Sequence, residues 1–177
     1  MAFVVKNASK ARVAGPNGSG FSYLNQWIQV SRAALALPQT TTEQLFRVYG
    51  GRVLVHLLIG EVTTVIQSTD PVAKVSTKRL SDASVAIGTA YDVASTLDMS
   101  SDEVGTIYTV EGDGTALVSP QLAGSGYGQP QPWIMPQGEI YLTTGASKTG
   151  AIKWDIFYQP LDPGAYVVAV STATAAI

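Results

Sequence analysis

The stretch that decides the fold runs from Phe46 to Gln67 and reads FRVYGGRVLVHLLIGEVTTVIQ. Its centre, Val53–Ile59, is an apolar run interrupted only by His56, with Gly50-Gly51 before it and Gly60 after it. A short run rich in β-branched residues between glycines is typical of a strand rather than a helix. We therefore predict a central strand that is covered on both faces, with a bulge or bend at Gly60.

The other apolar segments also alternate in the manner of strands. The clearest alternation places four residues on one face, because successive strand residues point to opposite sides of a sheet: Ile152, Trp154, Ile156 and Tyr158. Turns rich in glycine and proline, such as Asp162-Pro163-Gly164, separate the segments, and no helical repeat intervenes. Short strands joined in this way indicate a two-layer sandwich or a single closed sheet. We predict an all-β protein with one jelly-roll-like β-sandwich.

The beginning of the chain differs from the rest in composition. A chain of 177 residues can bury one substantial core, and one domain is usual at this length. The first twenty residues are small and polar and end in a Gly/Pro/Asn/Ser run at 15–20, which no regular element tolerates. Residues 21–37 match both helical and strand spacing, and we favour a strand. We predict that residues 1–42 form an extended N-terminal arm and lead-in, and that residues 43–177 form the sandwich.

Charge is scarce and unevenly distributed. Asp, Glu, Lys and Arg make up 14% of the chain, against about 25% in soluble domains, which indicates that other protein covers part of the surface. Residues 1–42 contain no acid and four cations, which are Lys6, Lys10, Arg12 and Arg32. This distribution indicates an arm that docks on an acidic surface, and a solvated tail is the alternative. Dispersed cations without an aromatic platform are a poor nucleic-acid site, so we expect no nucleic-acid partner.

The residue types leave little room for catalysis or cofactor binding. The chain has no cysteine, which excludes disulfides, thiolate nucleophiles and cysteine-based zinc sites. His56 is the single histidine, and we interpret it as a structural residue of the core strand. We expect no enzymatic activity, no cofactor and no bound metal. No apolar run approaches the roughly 20 residues that span a bilayer, and the first residues do not resemble a signal peptide, so we expect a soluble protein without a membrane partner.

Three aromatic residues beside the Gly/Pro loop at 124–132 allow two interpretations. Tyr127, Trp133 and Tyr141 would form a sugar-stacking platform if the protein were a carbohydrate-binding β-sandwich module. Such side chains more often seal a core edge or an interface between subunits. We predict subunit or partner contacts for Tyr127 and Trp133, and the carbohydrate-binding module is the alternative.

Several segments together resemble a family of tailed-bacteriophage virion proteins that are encoded near head genes. The resemblance lies in strand-and-turn patterns without a catalytic signature, at residues 37–46, 50–55, 60–66, 138–142, 149–154 and 158–161. It implies a capsid decoration (cement) protein that binds the major capsid protein as an oligomer, usually a trimer. The expected location is the outer surface of the virion head, after synthesis in the host cytoplasm. A tail or head-fibre component is the second structural alternative.

The resemblance also suggests how such a protein would act. Many identical contacts repeated around a shell would resist internal DNA pressure through multivalency. The predicted capsid or subunit contacts are the residues already singled out by charge and by aromatic character, namely Lys6, Lys10, Arg12, Arg32, Tyr127 and Trp133.

Deletion of residues 1–20 tests the predicted arm. We expect the shortened chain to lose attachment to heads and to keep its β-fold, because the deletion removes Lys6, Lys10 and Arg12 but none of the predicted strands. Occupancy on purified heads and circular dichroism are the two measurements. Unchanged occupancy would contradict the arm.

Overall fold

A computed structural model describes residues 27–38, 42–67, 72–81, 86–110, 131–145 and 149–170. Within these ranges the chain forms ten strands and no helix. The strands are β1 Ile28–Ala36, β2 Thr42–Tyr49, β3 Val53–Thr64, β4 Val72–Leu80, β5 Ala86–Asp98, β6 Ile107–Thr109, β7 Trp133–Met135, β8 Gly138–Thr144, β9 Ala151–Pro160 and β10 Tyr166–Ala169.

These strands form two antiparallel sheets of five strands each. The first sheet has the order β1-β9-β3-β6, and β7 also pairs with β3; the second has the order β10-β2-β8-β4-β5. The inward side chains of both sheets share one hydrophobic core, which burial of apolar surface stabilises. The prediction of an all-β sandwich is confirmed. The jelly-roll-like connectivity remains a prediction.

Strand β9 carries the predicted alternation. Ile152, Trp154, Ile156 and Tyr158 are buried, and the residues between them are half-buried. Trp154 is fully buried because Gly60 of β3 lies opposite it and leaves room for the indole ring. A Cβ at that position would stand 2.9 Å from two ring carbons.

The predicted bulge at Gly60 is wrong, because this glycine lies in regular pairing with β9. The register shifts of β3 fall on either side of it, between Val55 and Leu57 and between Val62 and Thr64. The glycine is required for ring packing and not for a bend.

The central strand β3 has one fully buried face. Its inner residues, such as Val55 and Leu58, are inaccessible to solvent, whereas Leu54, Leu57 and Ile59 on the outer face are half-buried. The expectation of a strand covered on both faces is therefore wrong, because the described residues supply no third layer over the outer face.

One further predicted segment is confirmed and another differs from the structure. The strand favoured within residues 21–37 is present as β1, Ile28–Ala36, which pairs with β9, although this segment was assigned to the arm and lead-in. The sequence at residues 91–99 alternates poorly and predicts a turn-rich connection, but residues up to 98 belong to β5. Pairing of β5 with β4 contains three register shifts, and these shifts interrupt the alternation that identifies a strand. The run Glu111-Gly112-Asp113-Gly114 also predicts a hairpin turn, and it lies outside the described residues.

Two turns contact each other at one end of the sandwich, and each of them connects a strand of one sheet to a strand of the other. Gly50-Gly51 connects β2 to β3, and the turn at 161–165 connects β9 to β10. The carboxylate of Asp162 accepts hydrogen bonds from the Arg52 backbone N–H at 2.7 Å and from its guanidinium at 2.8 and 2.9 Å. Gly50 has φ +72°, and a Cβ there would stand 2.4 Å from the carbonyl oxygen of Gly164. The close approach of the two turns therefore requires glycine.

One ion pair connects the two sheets inside the sandwich. Arg32 of β1 and Glu43 of β2 both point inward and are buried, and the guanidinium binds the Glu43 carboxylate. The Arg32 Nε also donates to the carbonyl oxygen of Val170, at 2.8 Å, just after β10. The edge strand of the first sheet is thus attached to the edge of the second.

The effects of substituting Arg32 and Glu43 on the free energy of unfolding should be strongly non-additive. Arg32→Met leaves the Glu43 carboxylate buried without its partner, and we expect it to lower the free energy of unfolding by about 3–5 kcal/mol. The double variant Arg32→Met/Glu43→Leu should recover most of that loss, because it removes both buried charges. Chemical denaturation of the two single variants and the double variant measures the coupling. Additive losses would show that the two side chains are not coupled.

The contact between Arg52 and Asp162 should make the stability of the fold depend on pH in the acidic range. Hydrogen bonds from Arg52 lower the pKa of Asp162 to about 2. The resulting stabilisation is complete above the unfolded-state pKa of about 3.9 and is lost as the pH falls through the folded-state value. Asp162→Asn should therefore lower the melting temperature near neutral pH and flatten its decline from about pH 5 to about pH 2. Parallel melting curves for the two proteins would contradict this assignment.

Candidate functional site

The outer face of the first sheet is apolar at one end. Strand pairing places Leu54 beside Ile134, and Leu57 beside Phe157, on this face. Ile134 is 59% exposed, whereas Leu54, Leu57 and Phe157 are half-buried. Apolar side chains that remain exposed or half-buried together on one face are typical of interaction sites on soluble proteins.

A stacked aromatic pair completes this end of the face. The ring of Trp27, immediately before β1, lies 4.6 Å from the ring of His56, with 17° between their planes. His56 occupies the register shift of β3, where the additional residue directs the imidazole toward the outer face. Trp27 remains 48% exposed. We call the set Trp27, Leu54, His56, Leu57, Ile134 and Phe157 the apolar patch.

The other end of the same face is polar. Asp155 of β9 accepts hydrogen bonds from Ser31 and from Gln29, the latter at 3.0 Å, and forms an ion pair with Lys153 at 3.1 Å. Burial raises the pKa of Asp155, but the hydrogen bonds from Ser31, Lys153 and Gln29 outweigh it and give a net decrease. The carboxylate therefore stays ionised near neutral pH. Polar residues consequently adjoin the apolar patch on the same sheet.

The outer face of the second sheet has a different character. One cross-strand row contains Val168, Arg47, Glu139 and Lys78, on β10, β2, β8 and β4. The buried Glu139 lies between two cations, and its carboxylate is 4.0 Å from the Arg47 guanidinium. Arg47 also lies over the ring of Tyr49, 5.1 Å from its centroid. This row is a ladder of alternating charge.

The next row of the second sheet is a hydrogen-bonded polar network. Asp92 accepts from Ser76 at 2.5 Å and from Lys74 at 3.1 Å. These contacts, with the Ser76 hydrogen bond as the main cause, lower the pKa of Asp92. Burial raises the pKa of the neighbouring Tyr141 phenol, and the negative charges of Asp92 and Glu139 raise it further. The polar groups of this face thus bind one another.

Of the six predicted contact residues, only Arg32 and Trp133 lie in the part of the chain that the structure describes. Lys6, Lys10, Arg12 and Tyr127 lie outside the described residues. Arg32 is 2% exposed and binds Glu43 within the same chain, so its guanidinium is not available to an external partner. The positive charge was visible in the sequence, whereas the inter-sheet partner was not.

The predicted aromatic platform is also not assembled by the residues that the structure describes. Trp133 lies on β7 of the first sheet, half-buried and packed against the core. Tyr141 lies on β8 of the second sheet, on its outer face and beside Ser76. Because the two rings belong to different sheets, they cannot stack against one sugar.

The described part of the chain contains neither a metal-binding group of side chains nor a membrane-spanning helix. No three His, Asp or Glu side chains lie together there in a group that could hold a metal ion. Among the same residues there is also no helix with the length and apolar character needed to cross a bilayer.

Comparison of the chain with protein-family models, with curated proteins and with solved structures finds no match. The resemblance to phage virion proteins therefore remains a prediction that rests on the sequence patterns alone.

The apolar patch was missed by sequence reasoning, although one signal was present. The apolar run of β3 includes outward residues such as Leu54 and Leu57. A strand with one face exposed to water would usually have polar residues at these positions. This apolar run indicated that both faces of β3 are covered. It did not indicate that Trp27 and Ile134, from distant segments, extend the same surface.

Proposed function

We propose that the chain is a structural virion protein that decorates a phage capsid. It binds the lattice of the major capsid protein as an oligomer and acts by binding, without catalysis. The observation that carries the proposal is the apolar patch, which is the surface we assign to the capsid contact. The sequence resemblance supplies the class of partner.

The chemistry of the patch suits a protein partner. Trp27 and Ile134 expose large apolar surfaces that lose unfavourable contact with water when another protein covers them. Asp155 and Lys153 lie on the same face and supply the polar surroundings common at protein interfaces. The scarcity of charge, 14% of residues, fits a chain with much of its surface in contact with protein.

The outer face of the second sheet is less suited to such burial. Arg47, Glu139 and Asp92 are charged and already held by contacts within the chain. Covering them would remove water from charged groups without supplying new partners, which is unfavourable. We therefore assign the capsid contact to the first sheet.

Imaging of virions tests the proposed function directly. Virions of the phage that encodes the chain should show its two-sheet density on the outer surface of the head when examined by electron cryomicroscopy. Density confined to the tail or to fibres would support the second structural alternative and overturn the capsid assignment. Absence of the chain from the particle would overturn the proposal as a whole.

Substitution in the apolar patch tests the contact surface. Ile134→Ser should weaken binding to heads that lack the protein by about tenfold or more, since burial of this side chain contributes about 1.5 kcal/mol or more. Folding should change by less than about 1 kcal/mol, because the residue is largely exposed. Cosedimentation with heads and thermal unfolding are the measurements.

Val168→Ser is the matched control for this experiment. Val168 is a β-branched residue that is 42% exposed, but it lies on the outer face of the second sheet. Head binding of this variant should equal that of the unaltered chain. Equal losses for the two variants would contradict the assignment to the first sheet.

A further inference from the structure

Three of the four sheet edges formed by the described strands have features that oppose pairing with another chain. Strand β10 is four residues long, and β6 and β7 are three residues each. Strand β5 is long, but three register shifts interrupt its pairing with β4. Short edge strands and bulges of this kind are common means of preventing edge-to-edge association.

Strand β1 is the fourth edge, and it has fewer of these features. It is nine residues long, with a register shift only between Arg32 and Leu35. The strand contains no proline, lysine or acidic residue, and its outward residues Gln29 and Ser31 are exposed. Among the described strands only β9 is hydrogen-bonded to it along the sheet, and β10 of the second sheet lies near it across the sandwich. Such an edge presents backbone N–H and C=O groups to which another strand can be added.

The single charge of β1 does not oppose pairing. An inward charge protects an edge when pairing would bury it without a partner. Arg32 is already buried, with Glu43 and the Val170 carbonyl as partners within its own chain. The same contacts fix β1 in place, so little conformational freedom is lost when a second strand is added.

We propose that β1 pairs antiparallel with β1 of a second copy of the chain, which joins two first sheets into one continuous sheet. The partner edge must itself be long and unprotected. Among the edges of the described strands, only β1 meets that condition. The structure therefore favours β1 of a second copy as the pairing partner of β1, with the two copies related by a twofold axis.

The side chains of β1 are compatible with pairing to themselves. In a register centred on Val30, Gln29 of each copy lies opposite Ser31 of the other, and opposite residues share a face. Within one chain the Ser31 hydroxyl donates to Asp155 and accepts from the Gln29 amide at 3.4 Å, which leaves one lone pair to accept from the Gln29 amide of the facing copy. No like charges face each other, since Asp155 lies one strand further from the axis.

The proposed function includes binding as an oligomer, and the pairing rests on that proposal by specifying one contact between its subunits. This contact can be tested without a capsid. A twofold contact produces pairs, whereas the resemblance implies trimers. The mass of the full chain in solution therefore distinguishes the two arrangements.

Charge-swap variants test the pairing. Gln29→Lys/Ser31→Lys and Gln29→Glu/Ser31→Glu each place like charges opposite each other at two positions on both sides of the axis. Each variant alone should associate at least tenfold more weakly than the unaltered chain in sedimentation velocity. An equal mixture of the two should recover association as a mixed pair, because lysine then faces glutamate.

Strand β5 provides the matched control. Thr89→Lys/Tyr91→Lys changes two exposed residues on the opposite edge of the sandwich, and its association should equal that of the unaltered chain. Thermal unfolding checks that each variant is folded. Hydrogen exchange of the unaltered chain gives a readout without substitution, since amides at 28–32 should become more protected as the concentration rises.

A chain that is monomeric at every concentration, or a trimer whose mass the charge-swap variants do not change, would overturn the pairing. Either result leaves the proposed capsid binding intact if the chain still binds heads. Conversely, Ile134→Ser could lose head binding and keep its pairing through β1. That result would show that the apolar patch and the β1 edge make different contacts.

Discussion

The ion pair between Arg32 and Glu43 connects the first strand to the opposite sheet, and both proposed contact surfaces depend on the position of that strand. A buried ion pair contributes little net stability compared with apolar packing of the same volume. Its effect is on specificity, since a β1 displaced from β2 would leave two buried charges apart, at a cost of several kcal/mol. Trp27 precedes this strand directly, so the same contact helps to place the indole against His56.

The elements that could be predicted from the sequence are those specified by local rules. Strand β9 alternates without interruption, and its inward residues could be named because side chains of a strand have a period of two. The turns at 50–51 and 162–164 follow from the conformational freedom of glycine and the restriction of proline. Strand β5 could not be predicted, because its register shifts change which residues face the core.

The candidate site was less predictable because distant segments assemble it. Arg32 was predicted as a capsid or subunit contact from its position in a basic segment, and its burial depends on a partner in the other sheet. Ile134 joins the apolar patch only because β7 pairs with β3. Sequence spacing contains neither fact, because both result from strand pairing and from packing of one sheet on the other.

Both surfaces belong to the first sheet, and this has a consequence for binding. Residues that lie opposite each other in an antiparallel pair share a face, so a twofold pair through β1 would present two copies of the apolar patch on the same side of one continuous sheet. Binding of one patch would then raise the effective concentration of the other near the lattice. Two patches of modest individual affinity would give firm attachment wherever the spacing of lattice sites matches their separation, and only weak attachment elsewhere. Edge pairing in such an assembly would thus contribute to the selection of lattice positions as well as to the association of the subunits.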